Sequence, residues 1–401
     1  FYASSAHRKA CTIWSMSFHI GKILGIDYKG GYIMLKQDMK IGLALSGGGM
    51  RAAIFHLGVL KWLAEQGLLK RIHHISSVSG ASIAVGLIFA NNDNQWPSDV
   101  TFLSKVLPAM KRDIITKDIQ WTALCRLIVS PYYWNKKANL LAHVMEKRWK
   151  ITACLQDIPT LPLWTINTTA YETGKDFRIS AKRMGSQYSF VQRPRFPLSH
   201  AICASAGFPV FIGPYTLKTK AYVWSDVTGS MIVRVRDETL HLWDGGVYDN
   251  MGLDPLFSFQ GQNKLCPDIN YLIVSNASMD KLEHKMRTIG YSFSNLKRLL
   301  AISMTQSQLL RKQEVIDFME QNKQGLFLQI GSQTKDMLRH CDISFARKQE
   351  LLHASLKESD VLRVSSYKTT LERVKKDDFE RILRHGYEVA KLNSLCSGHI
   401  S

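Results

Sequence analysis

The stretch Ile41-Gly42-Leu43-Ala44-Leu45-Ser46-Gly47-Gly48-Gly49-Met50-Arg51 constrains the fold of this chain more than any other. An apolar run ends in three glycines and an arginine, and Ala52 to Trp62 then reads as a helix. A glycine turn between strand and helix leaves backbone N–H groups uncovered beside the positive end of the helix dipole, so it holds negative charge. That charge is either a bound phosphate or an oxyanion that forms during a reaction.

The next strand separates the two. Gly47 to Ala52 formally fits a dinucleotide fingerprint, which calls for an acid at the end of the second strand to hold a ribose. The second strand reads as His73 to Val78 and carries no acid. No Gly-Lys-Ser/Thr follows the glycines, which argues against a Walker-type loop. The strand runs instead into Ser76-Ser77-Val78-Ser79-Gly80-Ala81-Ser82, and Ile83 to Ala90 reads as a helix. A serine between small residues at such a turn has the form of a nucleophile elbow, with Ser79 at its apex. An ordinary helix N-cap is the competing reading. Ser77 and Ala81 replace the outer glycines of the elbow consensus. Ser77 would lie on the strand and Ser82 inside the helix, which leaves Ser79 best placed. Further on, Asp244 ends an apolar strand and is followed by Gly245 and Gly246. Alone, it reads better as a turn aspartate.

Taken together, these elements resemble the patatin-like phospholipase family, serine lipid acyl hydrolases that use a Ser-Asp dyad. The glycine loop, the elbow and the Asp-Gly-Gly motif stand in the family's order. Thr165 to Lys175, Ala201 to Pro209 and Asp249-Asn250-Met251-Gly252-Leu253 resemble its supporting segments. The resemblance covers residues 39 to 280 well and the tail near His385-Gly386-Tyr387 more weakly. It implies an α/β fold, a layered patatin-like sheet flanked by helices. It also implies Ser79 as nucleophile, Asp244 as general base, and Gly47, Gly48, Gly49 and Arg51 around the oxyanion, with Gly80, Gly245 and Gly246 in support. The reaction implied is cleavage of acyl esters of phospholipids or related glycerolipids through an acyl-Ser79 intermediate, with no cofactor. For Arg51, shaping the loop or adding positive charge near the oxyanion, and a salt bridge that rigidifies the turn, all stay open.

The rest of the chain fits this frame. Its 401 residues, 45% of them hydrophobic, are ample for a large core. Apolar strands alternate with helical patterns through the motif region, which favours an α/β layered sheet. His56, His200 and His241 lie near the supporting segments, but none sits in a motif that would complete a triad, and they read as packing or surface residues. No His-Glu-x-x-His or paired Cys-x-x-Cys occurs, so no catalytic metal is expected. Seven cysteines (Cys11, Cys125, Cys154, Cys203, Cys266, Cys341 and Cys396) are scattered without pairing spacing, as in a cytosolic protein with reduced thiols. Residue 1 is Phe, and Met34 or Met39 is a plausible start, so 1–38 reads as an upstream extension. Residues 39–280 read as the catalytic domain and 281–401 as a mostly helical extension packed on it. Candidate core positions there are Leu299, Leu300, Ile302 and Met304, then Phe318, Met319, Leu326 and Phe327 over 316–329. Leu371, Val374, Phe379, Ile382 and Leu383 follow in helices over 367–390.

The formal net charge of +19 points to an anionic partner. No nucleic-acid reading module is visible, whereas an anionic membrane suits a lipase that sits peripherally on it. Residues 106–150 interleave Lys111, Arg112, Lys117, Arg126, Lys136, Lys137, Lys147, Arg148 and Lys150 with Trp121, Tyr132, Tyr133, Trp134 and Trp149. That mixture favours bilayer interfaces, although a helical insertion with its aromatics in the core would read the same. Two other functions remain as alternatives: a glycine-loop nucleotide or phosphate binder, and a membrane-binding pseudoenzyme. Oligomeric state is not legible.

Overall fold

The computed structural model describes residues 38–207, 212–259, 261–278, 293–339 and 341–398. Its centre is a twelve-stranded mixed sheet, and the most apolar strand of the sequence lies at its heart. Strand β1 (Ile41–Leu45) is buried along its whole length between β2 (Ile72–Val78) and β13 (Tyr271–Asn276), parallel to both. A parallel strand covered on both faces reads as a continuous apolar run, which is how this one appears.

The parallel part continues through β3 (Leu163–Ala170) on one side. Beyond β3 the sheet turns antiparallel through β4 (Asp176–Ile179), β5 (Arg183–Gly185), β6 (Ser189–Gln192), β8 (Trp224–Asp226) and β9 (Ile232–Val233). Strand β10 (Thr239–Asp244) pairs antiparallel with the far end of β3 and with β7 (Tyr215–Lys218). A short ribbon, β11 (Phe257–Ser258) with β12 (Lys264–Leu265), stands apart. On the other side of the sheet, β13 pairs parallel with β14 (Gly325–Gln329).

The helices of six residues or more are α1 (Gly49–Glu65), α2 (Gly80–Ala90), α3 (Leu107–Thr116), α4 (Ile119–Ile128), α5 (Lys137–Trp149), α6 (Leu198–Ser205), α7 (Phe293–Asn322), α8 (Thr334–Arg339), α9 (Phe345–Ala354), α10 (Glu358–Ser365) and α11 (Lys376–Ser397). Helices α1 and α2 begin three residues earlier than their apolar periodicity suggests. Gly48 (φ 147°) and Ser79 (φ 54°) take non-helical conformations, and each helix starts on the residue that follows. Helix α1 is apolar almost all round because the sheet covers one face and α11 the other. The crossing with α11 is backbone to backbone. A Cβ on Gly386 would lie 2.1 Å from the Phe55 carbonyl oxygen, and one on Gly58 would lie 2.1 Å from that of Leu383.

Three expectations for the C-terminal region need correction. Residues 316–329 are not helical throughout. Helix α7 stops at Asn322, and Gly325–Gln329 is the strand β14, because a short buried apolar run has no period that separates strand from helix. Phe318 and Met319 are in the core from the helix, and Leu326 from the strand. Leu299 and Ile302 lie on an exposed part of α7 rather than in the core. Residues 367–375 are not helical either. They cross the β1–α1 turn as irregular chain, bury Leu371 and Val374, and reach helical geometry only at Lys376. Phe379 and Ile382 are then buried on α11. The extension over 1–37, Cys11 and the side chains of Leu300 and Met304 lie outside the described residues.

Candidate active site

Strands β2 and β10 approach each other head-on along one edge of β3. Strand β2 runs parallel to β3 and ends with Val78 opposite Asn167. Strand β10 runs antiparallel to β3 and ends with Asp244 opposite Thr168. Their C-terminal ends therefore meet, and the residue after Val78 stands beside Asp244. The Ser79 hydroxyl faces the Asp244 carboxylate closely enough to pull its pKa down.

Ser79 holds φ 54° and ψ −118°, a combination costly for a side-chain-bearing residue. The turn persists because its surroundings over-determine it. The Ser79 N–H donates to Ser205 Oγ (2.9 Å), and that hydroxyl donates in turn to the Asn167 carbonyl (2.7 Å). Gly80 presses against the glycine loop so closely that a Cβ there would sit 2.0 Å from the Gly49 carbonyl oxygen. Ser77 and Ser82 bond to each other at 2.9 Å, and the Trp164 indole N–H donates to Ser77 (2.8 Å), so both of these serines are structural.

Asp244 is buried, and desolvation pushes its carboxyl pKa up from 3.8 to about 6. The hydrogen bond from the Gly246 N–H (2.8 Å to Oδ1) and the nearby Ser79 hydroxyl work against that rise. The backbone of Asp244 is fixed as well: its N–H donates to Gly207 (3.2 Å), and its carbonyl accepts from the Thr169 hydroxyl (3.0 Å). The Gly245 N–H donates to the Ser205 carbonyl (3.4 Å). Ser205 thus holds both sides of the pair.

The glycine loop lies alongside, and its three glycines differ. The Gly47 N–H is already engaged by the Asn250 carbonyl (3.0 Å), which corrects its expected place as a donor to an oxyanion. Gly47 instead lets the loop come close: a Cβ there would sit 3.2 Å from Ser79 Cβ and 2.4 Å from Asn250 Oδ1. Among the described residues, the N–H groups of Gly48 and Gly49 meet no protein acceptor. The Met50 N–H donates to Thr370 (3.0 Å).

Arg51 shapes the loop through carbonyls, with no salt bridge among the described residues, and its guanidinium stands beside Gly48. Its buried guanidinium donates to the carbonyls of Ala277, Ser365 and Tyr367, each at 3.0 Å, and burial lowers its pKa to about 10. It anchors the loop to the segment that follows α10. The histidines stay outside the site. His56 is buried, with its pKa lowered to about 4 by desolvation. Its Nε2–H donates to the Ser46 carbonyl (2.9 Å), and the Ser275 hydroxyl donates to Nδ1 (2.7 Å). His241 bonds to Glu172 (2.7 Å) and His200 to Tyr215 (2.8 Å).

Sequence reasoning passed over Ser205, Asn167 and Asn250 as functional residues. One signal was present: Asn167 is an amide in the middle of an apolar strand, and a buried amide needs partners. Its Nδ2 donates to Ser76 Oγ (2.9 Å) and to the Ser77 carbonyl (3.0 Å).

Residues 43–257 match the family described as patatin-like phospholipase. No curated protein sequence matches the chain. Among solved structures, human GIVD cytosolic phospholipase A2 is similar at 11% identity, over 90% of this chain and 63% of that one, with a TM-score of 0.47. The same human protein in complex with methyl gamma-linolenyl fluorophosphonate and terbium chloride is similar at 14% identity, over 95% and 61%, with a TM-score of 0.48. VipD from Legionella pneumophila is similar at 14% identity, over 89% and 69%, with a TM-score of 0.33. The chain spans less than two thirds of the length of the human protein in both structures.

Proposed function

Given that this chain belongs to the patatin-like phospholipase family, we propose that it is a serine lipid acyl hydrolase acting on acyl esters of phospholipids or related glycerolipids. The observation that carries the reading is the placement of the Ser79 hydroxyl beside a buried Asp244 where two strands meet end to end, with the open Gly48 and Gly49 amides next to them. Ser79 Oγ attacks the ester carbonyl as Asp244 takes its proton, and the carbonyl oxygen becomes an oxyanion. The collapse of that intermediate expels the alcohol, which recovers the proton from Asp244, and leaves acyl-Ser79. Water, activated by the same carboxylate, then releases the fatty acid.

A carboxylate is a weak base for an alcohol in water. Desolvation raises its basicity, and a pKa near 6 still leaves it mostly ionised at neutral pH. Two amides aimed at the oxyanion are worth roughly 3–4 kcal/mol each. The nucleotide-binder alternative is weakened because the Gly47 and Met50 amides are committed to carbonyls and a carboxylate stands beside the turn. A pseudoenzyme has no need of the strained backbone at Ser79.

The surface around α4 supports a membrane partner. Trp121, Ile128, Val129, Tyr132 and Trp134 are each more than half exposed, whereas Trp149 alone of that aromatic set is fully buried. Arg126, Lys136 and Lys137 stand among them, with the Lys136 ammonium 4.5 Å from the centre of the Tyr132 ring. The mixture suits the headgroup boundary of an anionic bilayer. No helix among the described residues is long and apolar enough to cross a membrane.

The deciding experiment is fatty-acid release from mixed phospholipid vesicles without added calcium. Asp244→Asn should lose about 10²–10⁴-fold and Ser79→Ala should fall to background, both remaining folded. In the wild type, kcat/KM should rise with pH through an apparent pKa near 6, since only ionised Asp244 accepts the proton. Full turnover in Ser79→Ala would end the assignment.

A further inference from the structure

Away from Ser79, α5 and α6 bring together His143, Glu146 and His200. Among the described residues this is the one group of three such side chains whose ligand atoms lie within 4.8 Å of one another. We propose that these three residues form a zinc site that clamps α5 to α6.

The distances favour a metal over simple ion pairs. His143 Nδ1 is 3.2 Å from Glu146 Oε2, and His200 Nε2 is 3.4 Å from Glu146 Oε1. A charge-assisted N–H···O bond closes to about 2.7–2.9 Å. The edge of a tetrahedron around zinc, with bonds of about 2.0–2.1 Å, is about 3.3–3.4 Å. Each imidazole stands near that distance from the carboxylate, one from each of its two oxygens, and the ligand atoms of all three residues lie within 4.8 Å of one another.

The outer contacts also suit a metal. Metal-bound imidazoles use their second nitrogen to hold an outer partner, which fixes ring and tautomer. His200 Nδ1 meets the Tyr215 hydroxyl at 2.8 Å, so it is Nε2 that faces Glu146 and the proposed ion. The Ser199 hydroxyl donates to Glu146 Oε1 (2.8 Å) and holds the carboxylate. The His143 and His200 rings stand edge to face with centroids 5.0 Å apart.

Two imidazoles and one carboxylate are too few and too nitrogen-rich for calcium or magnesium, and they suit zinc. A cleft of about 400 Å³ lined by Tyr133, His143, Lys147 and Arg126 adjoins the cluster at His143, and its cations favour hydroxide or another small anion as a fourth ligand. The residues are spaced as His-x-x-Glu on one helix and a single His on another, so no protease-type motif announces them. The clamp has a structural consequence. Helix α6 ends at Ser205, whose hydroxyl and carbonyl hold Ser79 and Gly245.

The test uses the full chain, stripped of metal, titrated with zinc against a chromophoric chelator and, separately, with cobalt. Wild type should bind one zinc per chain and gain melting temperature. Its cobalt complex should show visible bands without the near-ultraviolet thiolate band that cysteine ligands produce. His143→Ala, a half-exposed position on a helix, should lose on the order of 100-fold in affinity. Tyr215→Phe should lose about 10-fold. Both metal-free variants should melt where metal-free wild type melts. Zinc affinity unchanged in His143→Ala, a thiolate band, or no stoichiometric binding by wild type would overturn the site. None of these readouts depends on turnover, so they stand whether or not Ser79 is the nucleophile.

Discussion

Asp244 is a carboxylate that the fold disfavours in its ionised form. Its pKa is raised from 3.8 to about 6, so between those values the folded chain binds a proton that the unfolded chain has released. Stability therefore falls as pH rises through that window and stays lower above it, by at most about 3 kcal/mol. Asp244→Asn should thus be more stable than wild type at pH 8, with the gain fading towards pH 4. Urea unfolding at the two pH values checks this, and a gain that does not depend on pH would contradict it. At this scale Ser79 was legible because a sharp turn demands small neighbours, and those neighbours are visible in the chain. Ser205 was not. Its importance lies in bonds to Ser79 and Asn167, partners that only the tertiary fold supplies. The partners of Arg51 were not legible for a similar reason: an arginine suggests a carboxylate, and this one donates to three carbonyls that come from distant parts of the chain.

Among the elements, β1, α1, β2 and α2 were legible because each has a strong period or a marked boundary. Strand β14 was not, since a run of five residues is too short to show a period. The segment from α4 to residue 134 could be read as core or as surface, and exposure favours the surface. The double variant Trp121→Ala/Trp134→Ala should bind anionic vesicles about tenfold more weakly with an unchanged melting temperature. Neutralising Lys136 or Lys137 should weaken binding by about fivefold, on the basis of about 1 kcal/mol per cation. Vesicle co-sedimentation at two salt concentrations measures both. Equal binding by the double variant would place the membrane contact elsewhere.

For the whole molecule, the expected boundary at residue 280 does not separate what the site needs. Strand β14 completes the sheet beside β13, α11 covers α1, and the carbonyls of Ser365, Tyr367 and Thr370 hold Arg51 and Met50 of the glycine loop. We propose that the folding unit runs from about residue 38 to the end of α11. A chain ending at residue 364 should then fail to fold, giving no cooperative melting transition and no fatty-acid release, instead of a smaller working enzyme. A folded, active fragment ending at 280 would refute this.

The head-on meeting of β2 and β10 also governs timing. The serine emerges early in synthesis, its carboxylate partner much later, and both are positioned by the strand between them. On the function proposed above, the hydroxyl stays an ordinary alcohol until the later strand docks, so a half-made chain cannot cleave lipid esters.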